Sequence, residues 1–116
     1  MSIVFRRGHY FGAEYITGPQ ILLLLLDLQD ERIEDPYVAA MDEDRLYGSP
    51  EAGSVREAVL AGTDEANSDH GTSWHPLEIR YSYSSWDRSC NLMRWAAKAI
   101  VERLATQGPE SFDRHD

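Results

Sequence analysis

Cysteine is nearly absent from this chain: Cys90 stands alone among 116 residues, so neither an intrachain disulfide framework nor a cysteine-based zinc cluster can form. A lone thiol fits a reducing compartment. Basic residues are also scarce, with 11 Lys and Arg against 20 Asp and Glu, a net charge of -9 and a pI near 4.8. Phosphate backbones and anionic lipid head groups are bound largely through Lys and Arg, so direct nucleic-acid and membrane binding are disfavoured. Long apolar runs are missing too. Ile21 to Leu26 is far shorter than the ~20 residues needed to span a bilayer, and Asp27, Asp30 and Glu31 close it. The opening Met-Ser-Ile-Val-Phe-Arg-Arg places its basic pair after the apolar stretch, the reverse of a secretory signal. A cytoplasmic protein is expected. The eight glycines are scattered, and no Gly-x-Gly-x-x-Gly or Gly-x-x-x-x-Gly-Lys phosphate loop occurs.

What is present is enough for one core. Apolar content of 42% and charged content of 27% are ordinary for a soluble globular protein, although the mean hydropathy of -0.48 is on the polar side. With no internal repeat and no low-complexity linker, the reading is a single domain over residues 1–108, followed by a polar tail, 109–116, expected to fray. The negative charge is unevenly placed. Asp27 to Asp69 carries thirteen carboxylates against three arginines, a net of -10, while the flanks together are near neutral.

Alternation around Ile3 and Phe5, then a β-favouring stretch from His9 to Ile16, predicts an N-terminal hairpin. Thr17-Gly18-Pro19-Gln20 has the residue types of a helix start, so the leucine block Leu22 to Leu26 with Leu28 reads as a buried helix over 19–33, ended by Asp35-Pro36. After Gly48, Ser49 and Ser54 compete to start a peripheral helix that Gly62 would terminate, and Thr63 to Ser73 reads as loop. Leu77, Ile79, Tyr81 and Tyr83 alternate with Glu78, Arg80, Ser82 and Ser84, the clearest period-two pattern, predicting a strand over 77–84. Asp87 would then cap a helix over 88–106 with Met93, Ala96, Ala97, Ile100, Val101 and Leu104 on its apolar side. The expected fold is α+β, a small and mainly antiparallel sheet packed against the leucine-rich helix and the C-terminal helix.

No constellation carries a catalytic signature. His70 and His75, with Asp69 and Glu78 around Trp74, include metal-ligating types, but a five-residue interval in a Gly/Ser/Thr stretch matches no familiar site; solvated loop histidines are the plainer reading. Ser84, Ser85 and Ser89 near Asp87 lack a nucleophile elbow and read as turn and capping residues. Cys90 beside Leu92 and Met93 reads as a small core residue. No metal and no cofactor is expected.

The function the sequence favours is recognition. A concentrated negative region steers encounter with a positive surface, and aromatic side chains anchor what is steered. The candidate contact residues are Asp42, Glu43, Asp44, Asp64, Glu65 and Asp69, with Tyr37 and Tyr47 as anchors. The expected partner is a basic protein such as a nuclease or other toxin. In general character such a chain is similar to bacterial immunity proteins and antitoxins, though no family motif carries the likeness. The alternatives are a small enzyme or ligand- or metal-binding domain using His70, His75 and neighbouring acids, and a homo-oligomeric structural subunit pairing through an exposed sheet edge.

Overall fold

A computed structural model describes residues 2–17, 20–41, 51–84 and 90–114. The strands are β1 (Ser2–Arg7), β2 (Tyr10–Thr17), β3 (Gln20–Gln29), β4 (Tyr37–Ala40), β5 (His75–Ser84) and β6 (Asp113–Arg114). The helices are α1 (Ala52–His70) and α2 (Asn91–Gln107), and a 3-10 turn covers Pro109–Ser111. The six strands form one sheet in the order β4-β5-β3-β2-β1-β6. β1, β2, β3 and β5 pair antiparallel, whereas both edges, β4 on β5 and β6 on β1, pair parallel. The architecture is α+β, as the sequence predicts.

The leucine-rich segment is the main correction to the sequence reading, since Gln20–Gln29 is not a helix but strand β3, hydrogen-bonded to β2 on one side and β5 on the other. A strand in the middle of a sheet can be buried on both faces, so it shows a continuous apolar run instead of alternation. Leu22, Leu24 and Leu26 are fully buried beneath the helices, and Leu25 is buried on the opposite face. At ~1.5–3 kcal/mol for each fully buried leucine side chain, this outweighs leucine's helix propensity, which spans only tenths of a kcal/mol per residue. Thr17 and Gln20, read as the start of a helix, are instead a cross-strand pair.

The β1–β2 hairpin closes through Gly8 and His9, with Arg7 opposite Tyr10. Gly8 takes φ 60, the backbone region that two-residue hairpin turns require and that glycine enters without a Cβ clash. In β5 the register shifts between Asp27 and Leu28 of its partner, where Asp27 faces Glu78 and Leu28 faces Pro76. Leu77 falls in the irregularity and is 43% exposed, although the alternation places it with Ile79 on the buried face.

Both helices pack on one face of the sheet, and the core lies between them and Phe11, Leu22, Leu24, Leu26, Ile79, Tyr81 and Tyr83. α1 is longer than the sequence suggests. It passes through Gly62 and ends at Gly71, which takes φ 65 and donates its N–H to the Asn67 carbonyl. Val55, Val59, Gly62, Thr63, Ala66 and Asn67 make its buried stripe, so Gly62 is a packing residue and not a terminator. Thr63 to His70, read as loop, is the second half of this helix. The apolar side of α2 is the one predicted; its expected cap, Asp87, lies outside the described residues.

Residues 109–114, expected to fray, turn back onto the molecule. Phe112 is buried against Phe11, ring centroids 5.1 Å apart and edge to face, and β6 pairs Asp113 with Phe5. No helix among the described residues is long and apolar enough to cross a membrane.

Candidate functional site

The second face of the sheet carries no helix, and alternation from the Phe5, Gly12, Leu25, Arg80, Ala39 register row identifies its residues. Tyr10, Asp27, Glu78, Arg80 and Tyr37 all lie on it. Tyr10 on β2 reaches across β3 and donates its hydroxyl to Glu78 Oε2 on β5. Arg80 donates its Nε–H to the same carboxylate oxygen and lies 5.9 Å from the Tyr10 ring centroid. His9 stacks against Tyr10 at 4.1 Å between centroids, with its Nε2 3.9 Å from Asp27 Oδ2. The next residue along this row is Tyr37, the register partner of Glu78 on the edge strand β4. Tyr37 is 61% exposed.

The hydrogen bonds of this row shift its two central groups in opposite directions. The hydrogen bond from Tyr10, then that from Arg80, holds the Glu78 carboxyl below the usual carboxylate range. The same bond to Glu78 raises the Tyr10 phenol above its ordinary value. A general base working near neutrality needs a carboxyl raised toward that pH, and a general acid a phenol lowered toward it. Both shifts here run the other way.

Two arginines fasten the β3–β4 connection, which leads into Tyr37, to α1. Arg32 donates to Asp64, with Nη2 to Oδ2 at 2.8 Å, and also to Glu34; the Asp64 carboxylate holds its guanidinium above the ordinary arginine value. Arg56 donates from Nε to the carbonyl of the buried Pro36 at 3.1 Å and pairs with Asp35 at 3.4 Å. Even so, the Glu34 and Asp35 side chains stay 86% and 88% exposed. The connection from β3 to β4 carries Asp30, Glu31, Glu34 and Asp35 against Arg32, a net of three negative charges in the segment that leads into Tyr37.

The structure separates the residues that the sequence groups. Tyr37 is exposed at the start of the edge strand β4. Asp64, Glu65 and Asp69 share one helix but are turned toward cations of the chain itself: Asp64 toward Arg32 at 2.8 Å, with the His75 ring 3.9 Å away; Glu65 toward Arg94 at 2.7 Å and Lys98 at 3.0 Å; Asp69 toward Lys98 at 3.8 Å. Arg94 and Lys98 lower the Glu65 carboxyl. Asp42, Glu43, Asp44 and Tyr47 lie outside the described residues. His70 is exposed in the last turn of α1, whereas His75 opens β5 with its side chain only 14% exposed. Among the described residues no three His, Cys, Asp or Glu side chains are grouped to hold a metal ion. Cys90 is buried. Ser85, Asp87 and Ser89 lie outside the described residues.

Sequence reasoning missed Tyr10, Glu78 and Arg80 as a unit, although the period-two pattern already marked Glu78 and Arg80 as the wet side of their strand. Nothing local links Tyr10 to a residue 68 positions away. Comparison of the chain with protein-family models, with curated proteins and with solved structures finds no match.

Proposed function

We propose that this chain is a small acidic binding protein that neutralises or regulates a basic protein partner, in the manner of a bacterial immunity protein or antitoxin. The contact surface is the β4 edge, with Tyr37 as anchor and the Asp30 to Asp35 loop as its charged rim. One observation carries the reading: Tyr37 is 61% exposed on an edge strand, directly after a loop whose Glu34 and Asp35 side chains are almost fully exposed. A large aromatic beside unburied carboxylates is the pairing that steers and then holds a cationic surface. Exposed ion pairs such as Arg32 with Glu34 are worth ~0–1 kcal/mol, so these carboxylates exchange partners at little cost. Asp64, Glu65 and Asp69 of α1 are secondary on this reading, because their side chains are 40%, 37% and 55% exposed, well below those of Glu34 and Asp35.

A single buried thiol suits a cytoplasmic location, where thiols remain reduced. A partner with a phosphate-binding cleft, such as a nuclease, offers the complementary charge.

The test is capture of the partner from the native cell on immobilised chain at low salt, followed by elution as salt rises. Release between about 0.05 and 0.5 M salt supports charge-steered recognition, since screening shortens the reach of exposed charges from roughly 14 Å to 4 Å over that range. A complex indifferent to salt, or a chain that captures only itself, refutes it.

A further inference from the structure

At the far end of the sheet from Tyr37, a cleft of about 370 Å3 opens between α2 and strands β1 and β2. Among the described residues its walls include Val4, Ala13 and Tyr15 from the sheet and Trp95, Ala99 and Arg103 from α2. Glu14 and Asp113 also border it. Glu14 alternates with Ala13 and Tyr15 along β2, and Asp113 is in register with Phe5, so both side chains point to the helix-free face of the sheet. Among the described residues the charged head group left to serve the cleft is that of Arg103.

Three features make this a built site. Trp95 is 53% exposed and meets Tyr15 edge to face, centroids 6.0 Å apart at 81°, which leaves an aromatic wall open to the cleft. The small side chains of Ala13 and Ala99 keep the space beside that wall empty. Arg103 is held in place by neutral acceptors, Nε donating to Ser111 Oγ at 3.2 Å and Nη2 to the Ser111 carbonyl at 3.3 Å. Among the described residues it has no carboxylate partner. Nearer the start of the same helix, Arg94 and Lys98 are both satisfied by Glu65. A guanidinium has five N–H donors in a fixed fork, so among the described residues Arg103 has three donors beyond the two on Ser111 to offer a ligand.

We propose that the cleft binds a small aromatic monocarboxylate, its ring against Trp95 and Tyr15 and its carboxylate on the Arg103 fork. The volume lies in the range of small-molecule pockets, about 300–1,000 Å3. Planar bidentate recognition of a carboxylate is what a positioned guanidinium does best, and the edge-to-face pair offers a ring surface on which a flat group packs favourably. One cation in a chain of net charge -9 selects a monoanion and rejects polyphosphates.

The experiment is titration of the full chain with phenylacetate and with its neutral isostere phenylacetamide, following the Trp95 indole N–H resonance, assigned by its loss in Trp95→Phe. The expected result is a saturable shift with the acid binding about ten-fold or more tighter than the amide, the factor one charge-assisted hydrogen bond supplies. Arg103→Gln abolishes the preference for the acid while the amide still binds. Trp95→Ala, at an exposed position that leaves the fold intact by circular dichroism, weakens both ligands, read in that variant from the backbone amide resonances of Tyr15 and Arg103. Equal affinity for acid and amide in the unaltered chain, a preference that survives Arg103→Gln, or no saturable shift up to about 10 mM overturns the proposal.

Discussion

Gly62 on α1 lies against the carbonyl of Arg94 on α2 so closely that a Cβ at position 62 would stand 2.2 Å from the oxygen. No rotamer change relieves such a contact, because the obstructing atom is backbone. The two helices approach this closely only because the stripe that meets α2 has no side chain there. Gly62→Ala is therefore expected to destabilise the fold by about 1–3 kcal/mol of overpacking, partly offset by the ~1 kcal/mol that alanine gains over glycine in a helix. A denaturant midpoint that falls in Gly62→Ala and not in Gly53→Ala, which meets nothing within 4 Å, is the measurement that checks it.

Asn67, only 6% exposed, closes the loop between α1 and β5. Its Nδ2 donates to the Trp74 carbonyl at 2.8 Å, and its Oδ1 accepts from Thr72 Oγ1 at 2.9 Å and from the Trp74 N–H at 3.0 Å. Asn67→Ala removes all three bonds and is expected to cost about 1–3 kcal/mol. Asn67→Asp keeps the acceptor but loses the donor to Trp74, and should fall between the two. Chemical denaturation of the three proteins gives the order; an Asn67→Ala variant as stable as the parent removes this side chain from the account of the loop.

Glu65 and Glu78 both have carboxyls held below their ordinary value, the first by Arg94 and Lys98, the second by Tyr10 and Arg80. A carboxyl depressed in the folded state contributes stability that is complete above its unfolded value, near pH 4.3, and is lost as pH falls through the folded value. Thermal stability should thus be level with respect to these two groups from about pH 7 to 5 and fall below about pH 4.3. Glu65→Gln and Glu78→Gln should each flatten part of that fall. Glu78→Gln should also return the raised Tyr10 phenol toward its ordinary value, read as an earlier onset in an ultraviolet pH titration.

Tyr37 and the α1 acids are expected to part company in partner binding. Tyr37→Ala removes an exposed anchor and should weaken binding by roughly 2 kcal/mol, close to thirty-fold, through faster dissociation. Glu34→Lys with Asp35→Lys should slow association by about ten-fold or more at low salt and little at high salt. Asp69→Asn, altering an acid already turned toward Lys98, should leave both rates within about two-fold. Association and dissociation rates by surface plasmon resonance against the captured partner separate these effects; an on-rate unmoved by the double reversal would count against the loop.

Two elements are legible in local pattern. The Leu77 to Ser84 alternation and the one-sided apolar pattern from Met93 to Leu104 are each a periodicity of one segment, and both segments form the elements they predict. The leucine run is not legible in the same way. Six consecutive apolar residues satisfy a buried helix and a two-sided strand equally, and only the presence of β2 and β5 on either side decides between them. Gly62 misleads for a related reason: glycine ends helices, but it also lets two helices meet, and that second role exists only once folding has brought Arg94 next to it.

Charge, the lone thiol, the α+β class and the stock of aromatic and acidic residues all follow from composition and short-range pattern. Which of those residues face outward does not, because it depends on what folding places beside them. Asp64, Glu65 and Asp69 look as free in the chain as Glu34 and Asp35, yet folding carries Arg32, Arg94 and Lys98 to the first three. It leaves the last two almost fully exposed beside Tyr37. The cations facing Asp64 and Glu65 lie 29 to 33 residues from those acids, a distance across which local pattern carries no information and only packing does.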